Sequence, residues 1–168
     1  MSFSIYSASV PVFVRILSNL SAILDKAEAH CTERKIAPEA LLQFRLYPDM
    51  FPLVRQVQIA TDMTKGAAAR LGGIEVPSYA DTETTFDELR ARLAKTIAFI
   101  QSVKPEQMEG AEDRDILVKT GGQERTFKGS DYLLNFAMAH AYFHVTTSYA
   151  ILRHCGVELS KKDYIGAF

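Results

Sequence analysis

Apolar residues recur at three- and four-residue intervals through long stretches of this chain. That period places them on one side of an α-helix and fits neither a strand nor a loop. The first stretch runs from about Val10 to Cys31, where Phe13, Leu17, Leu20, Leu24 and Ala27 fall on one stripe. Ser9 is a fitting N-cap for it, and Pro11 is tolerated in a first turn because its missing N–H would have no helical partner there. Pro38 to Phe44 reads as a short helical turn that ends near Tyr47-Pro48.

A second long helix is expected from an Asp49 cap, with Pro52 in its first turn and Gly72-Gly73 at its end. Val54, Val57, Gln58, Thr61, Thr64, Ala68 and Leu71 trace its inner face, which is small and partly polar at its centre. Thr85 with Glu88 three residues later forms a capping-box pattern for the third helix. Phe86, Leu89, Leu93, Ile97 and Ile100 make its apolar stripe, and Pro105 stops it. Asp115 to Phe127 predicts a hairpin around Gly121-Gly122, packed on the end of the helices because a lone hairpin is marginal. The last helix is expected from a Ser130 N-cap to Cys155, with Gly156 as terminator. Leu133, Ala137, His140, His144, Thr147 and Ile151 share its stripe, and Tyr164, Ile165 and Phe168 should dock the tail on the body. Four long amphipathic helices predict an all-α fold, a four-helix bundle with a small β-hairpin before the last long helix.

With no linker, repeat or low-complexity tract, the 168 residues are expected to form a single domain over 1–168. A net charge of -1 gives no electrostatic footprint for nucleic acid. No run approaches the roughly 18 uninterrupted apolar residues of a membrane span, so no membrane is expected as a partner. Met1 to Val14 is apolar but lacks a basic leader, so no signal peptide is expected. Cys31 and Cys155 make no metal or redox motif and are read as reduced thiols of a cytoplasmic protein.

One constellation carries chemistry. His140 and His144 stand one turn apart on the same helix face, a spacing at which two imidazoles can serve one divalent cation. The competing reading makes them core histidines bonded to hydroxyls such as those of Thr147 or Tyr142, or of a tyrosine on another helix. His140-Ala141-Tyr142-Phe143-His144 lacks the glutamate of a zinc-protease helix, and Ala137 and Ala141 stand where a di-iron bundle would carry glutamates. His30 and His154 sit near helix C-termini, where their charge is favourable without any ligand role.

Several separated segments resemble a bacterial family, the DUF1993 family of unknown function. They are Ile5-Tyr6, Tyr47-Pro48-Asp49-Met50 leading into Gln56-Val57-Gln58, Phe143-His144, and Lys162-Asp163-Tyr164. The family is similar to the DinB/YfiT-like four-helix bundles, described as metal-dependent enzymes of transferase, hydrolase or isomerase type. Their usual site has one histidine on the second helix and a His-x-x-x-His pair on the last. The resemblance implies a divalent metal, zinc or nickel, on His140 and His144. No histidine occurs between residues 31 and 139, so the second-helix position falls near Gln58, with Asp62 one turn on. An amide oxygen is a weak ligand for zinc or nickel, whereas a carboxylate is a normal third ligand. Two readings stand: a metal-dependent enzyme using His140, His144 and either Gln58 or Asp62, or a non-catalytic bundle that binds a small molecule or a partner. The expected partners are a small-molecule substrate and a second copy of the chain in a homodimer.

Overall fold

The computed structural model describes residues 4–166, Thr120 by its backbone alone. Helix α1 spans Ile5–Arg34, α2 Pro38–Leu42, α3 Leu53–Leu71 and α4 Phe86–Ser102. A 3-10 turn at Pro105–Met108 leads to strands β1, Asp115–Thr120, and β2, Gln123–Lys128. The chain then turns through α5, Gly129–Asp131, winds as a π-helix over Tyr132–Ala137, and continues as α6, Met138–His154. Helix α7, Lys161–Ile165, closes the described chain.

Helix α1 begins earlier than its periodicity predicts. Ser4, not Ser9, is the N-cap: its hydroxyl accepts from the Ser7 N–H, and Ser7 returns the bond to the Ser4 N–H. Ser9 is buried inside the helix, its hydroxyl donating to the Ile5 carbonyl. Pro11 therefore lies in the helix interior, on an exposed position. An 18-residue window of α1 reaches a mean hydropathy of 1.5, long and apolar enough to cross a membrane. Half of that window is buried within the protein, where Phe13, Leu17, Leu20, Ile23, Leu24 and Ala27 are core residues. The apolar character of α1 thus has a packing cause.

The other boundaries follow local chemistry. Helix α3 starts after Pro52, so Asp49 lies outside it and makes no cap. Thr85 and Glu88 form the expected capping box of α4. Gly121 and Gly122 both take positive φ, 57° and 74°, as a tight two-residue hairpin turn requires. Ile116 and Val118 bury one face of β1, while Phe127 packs on the rings of Tyr132 and Phe136, so the hairpin is anchored on the helical core. Lys128, rather than Ser130, precedes the first helical residue of the last segment, and Gly156 (φ 88°) follows its end in the left-handed region.

One hydrophobic core joins α1, α3, α4 and α6. Helix α3 lies between α6 and α4, and α1 packs on α4. The tail docks as expected: Asn19 Nδ2 donates to the Tyr164 carbonyl at 3.0 Å, and Lys26 pairs with Asp163 at 2.6 Å. Phe168 lies outside the described residues. Both cysteines are free thiols, and burial raises the pKa of each.

Candidate functional site

His140 and His144 lie on α6, the first half-buried and the second 8 % exposed. His140 Nδ1 is 2.7 Å from the Phe136 carbonyl oxygen, at the junction where the π-helix passes into α6. A carbonyl oxygen can only accept, so His140 Nδ1 donates, and the tautomer this bond selects is the one with Nε2 as the acceptor nitrogen. His144 Nδ1 is 2.7 Å from Gln56 Oε1 on α3. The Gln56 amide is oriented by its other end, because Nε2 donates to the Phe51 carbonyl at 3.1 Å. That leaves Oε1 as acceptor, so His144 also donates from Nδ1 and keeps Nε2 bare. Burial is the main cause that pushes the His144 pKa down to about 4, with His140 and Arg55 adding to it. His144 is therefore neutral at pH 7.

Neither Nδ1 partner is one of the hydroxyls anticipated above. Thr147 donates instead to the Phe143 carbonyl at 2.8 Å, within its own helix. Aromatic rings flank the pair: Phe136 lies 4.3 Å from His140 between centroids, and Phe143 meets His144 edge-on at 5.1 Å.

Among the described residues, Gln58 and Asp62 make no hydrogen bond to the histidines. Both lie with a second cluster, on the side of α3 that faces α4 and the 73–85 connection. Its centre is Arg92 of α4, whose side chain is 2 % exposed. Arg92 pairs with Asp62, Asp81 and Glu83, each at 3.0 Å, and donates to Thr61 Oγ1 at 2.7 Å and to the Ala80 carbonyl at 3.0 Å. Asp62 also holds Lys65 at 2.9 Å, and Gln58 Nε2 donates to Glu83 at 2.9 Å. The ammonium groups of Lys65 and Lys95 lie over the Tyr79 ring, 3.7 and 4.2 Å from its centroid. Through these contacts the connection is fastened to the helices by ion pairs and a cation-π clasp.

Gln56 is the residue the periodicity missed. Gln56 and Gln58 are both buried, but they are two positions apart and so point about 200° apart around the helix. Gln58 turns toward the connection and Gln56 toward α6. The Tyr47–Gln58 segment held the signal, and Gln56, off the stripe that carries Gln58, is the glutamine bonded to His144.

Two imidazoles with bare Nε2 atoms, one turn apart and oriented by backbone and amide acceptors, have the outer-sphere support of metal-binding histidines. Imidazole nitrogens are a donor type that zinc and nickel take. Among the described residues, no group of three or more His, Cys, Asp or Glu side chains could hold a metal ion. Two cavities lie away from the histidines. One of about 540 Å³ sits between the start of α1, the Pro105–Met108 turn and Leu133, and one of about 890 Å³ sits at the other end of α1 among Lys26, His30, Glu33 and Arg153.

The chain is similar to a DinB family member protein from Shewanella denitrificans, whose crystal structure superposes with a TM-score of 0.91 at 40 % sequence identity. The alignment covers 97 % of this chain and 92 % of that one. No curated protein matches. The family model for DUF1993, a domain of unknown function, matches residues 5–165, and the chain belongs to that DinB-like family.

Proposed function

We propose that this DinB-like protein is one domain, a four-helix bundle of α1, α3, α4 and α6, that works as a divalent-metal-dependent enzyme of transferase or hydrolase type. His140 and His144 hold the zinc or nickel ion. The observation that carries this reading is the fixed Nδ1 of each ring: the Phe136 carbonyl and Gln56 Oε1 leave both Nε2 atoms as lone-pair donors on one helix face. A divalent cation there supplies Lewis-acid polarisation of a substrate carbonyl or activation of a bound thiol or water. The chain's own part is to orient both rings, to keep His144 neutral by burial, and to leave coordination positions for the substrate. Gln58, through the Oε1 that now accepts from Arg55, or Asp62, whose Oδ1 holds Lys65 and Arg92, is the candidate third ligand, and substrate or water completes the set.

The test is elemental analysis of protein purified without a histidine tag, stripped with a chelator and re-equilibrated with micromolar zinc or nickel. About one equivalent is expected in the wild type, and none in His140→Ala or His144→Ala, with unchanged helical circular dichroism in all three. Absence of uptake by the wild type overturns the reading. A second reading, a non-catalytic bundle, draws support from the same hydrogen bonds, because both rings are already satisfied at Nδ1 inside the protein. Under it, His144→Ala lowers the melting temperature and metal has no effect on any melt.

A further inference from the structure

The cavity of about 540 Å³ at the start of α1 has a lining that specifies what it can hold. Its volume lies within the roughly 300–1,000 Å³ of ordinary small-molecule sites. Ile5 and Ala8 of α1, Met108 of the 3-10 turn, and Leu133 and Leu134 of the π-helix supply its apolar wall. Met108 is 3 % exposed and its sulfur lies 3.7 Å from the Ser9 hydroxyl, so that part of the wall is fixed. Leu134 is 54 % exposed beside a fully buried Leu133. The π-helical winding that carries both is a rare conformation, frequent at functional sites. Gly110 also borders the cavity, and a Cβ built there would meet no atom within 4 Å, so the space is open on that side.

Every charged side chain around this space is negative. Glu109 and Glu112 both line it, and among the described residues no Lys, Arg or His does. Neither carboxylate has a salt bridge or a side-chain hydrogen bond among the described residues. The starts of α1 and α5 each bring about half a positive charge at most, so two full negative charges dominate the cavity. Tyr6, half-buried on the same lining, adds an aromatic ring whose face attracts an ammonium group. An apolar wall with unmatched carboxylates at one place is complementary to an amphipathic cation.

We propose that this cavity binds a small organic cation, a protonated amine on an apolar or aromatic body. Its ammonium group lies on Glu109 and Glu112, and its body lies against Met108, Leu133 and Leu134. Neither histidine of the pair lines the cavity, so the site goes beyond the metal reading and does not rest on it.

Isothermal titration with phenethylamine, phenylacetate and methylamine tests both parts. Phenethylamine should bind at least about tenfold more tightly than phenylacetate, which carries the opposite charge, or methylamine, which lacks the body. The double variant Glu109→Gln, Glu112→Gln should lose about tenfold or more for phenethylamine. Leu134→Ser, at an exposed position, should bring phenethylamine toward methylamine. His144→Ala should leave phenethylamine binding unchanged, with or without zinc. Equal or tighter binding of phenylacetate, no effect of the double variant, or no binding of phenethylamine overturns the proposal. So does loss of phenethylamine binding in His144→Ala of unchanged circular dichroism, which would place the amine at the histidines instead.

Discussion

His144 Nδ1 donates to Gln56 Oε1 across 2.7 Å, joining α6 to α3 between residues 88 positions apart in the chain. Gln56 is 2 % exposed and spans the gap between the Phe51 carbonyl and the imidazole, so one amide fixes both the ring's tautomer and the entry to α3. Gln56→Leu keeps most of the side-chain volume and removes both bonds. It should destabilise the protein by about 2–4 kcal/mol, about 1–3 for the buried His144 N–H and about 1 for the part-buried Phe51 carbonyl. Urea unfolding measures the loss. Gln56→Glu should instead raise the His144 pKa, since a carboxylate favours the charged ring, and imidazole NMR titration reads that shift. A His144 pKa that ignores both substitutions would mean the contact does not govern the ring.

The depressed His144 pKa carries a pH signature. Unfolded, the ring titrates near 6.5; folded, near 4. Between those values the unfolded chain binds more protons, so stability falls as pH drops from 6.5 to 4 and this ring contributes no slope outside that window. The total is at most about 3 kcal/mol for a shift of this size. Urea midpoints across that range should therefore decline in the wild type and decline less in His144→Gln. Parallel profiles for the two proteins would place the acid sensitivity elsewhere.

These two residues also mark how far sequence reasoning reaches. Local signals were legible: the Thr85–Glu88 box, the Gly121-Gly122 turn and Gly156 each depend on neighbours in the chain. The start of α1 was misplaced because Ser9 and Pro11 mimic a helix entrance, while the true cap, Ser4, is recognisable only by its reciprocal bond with Ser7. His140 and His144 could be found because both lie on one helix. Their partner could not, because periodicity says that a residue of α3 is buried but not whether it faces α4 or α6. The π-winding over Tyr132–Ala137, which ends beside the Phe136 carbonyl, likewise has no signature in residue spacing.

Arg92 should be the fastening point of the connection between α3 and α4. Arg92→Leu leaves Glu83 without its cation and strips Asp62 and Asp81 of one partner each. Only Glu83 is left as a mostly buried carboxylate without a cation, so the cost should lie below the roughly 3–5 kcal/mol of a fully buried pair, at about 1–3 kcal/mol. The 73–85 connection should then open locally, making Tyr79 a preferred chymotrypsin site in the native protein. Arg92→Lys keeps a charge but not the fork, and should give an intermediate cleavage rate. Equal rates for all three proteins would show that the connection is held by something other than this guanidinium.

Gly129 sets where the histidine-bearing helix begins. It stands between β2 and the π-helical winding without a positive φ, so its need for glycine comes from space rather than from backbone handedness. A Cβ built there would run into the Ala111 carbonyl oxygen, a backbone atom with no rotamer to escape into. The next residue is tied to the same loop by the Ser130 N–H, which donates to the Glu112 carbonyl at 3.0 Å. Gly129→Ala must therefore push the 111–112 loop and the helix start apart, at the upper end of overpacking costs, about 3 kcal/mol. Gly110 is the control. It has positive φ (66°) and nothing within 4 Å of a would-be Cβ, so Gly110→Ala should cost only about 1–2 kcal/mol of backbone strain. Because Tyr132–Ala137 carries the displacement toward Phe136, Gly129→Ala should also weaken zinc uptake at His140, whereas Gly110→Ala should leave it unchanged. Equal destabilisation by the two substitutions would mean that the junction relaxes freely and does not set the position of the histidine pair.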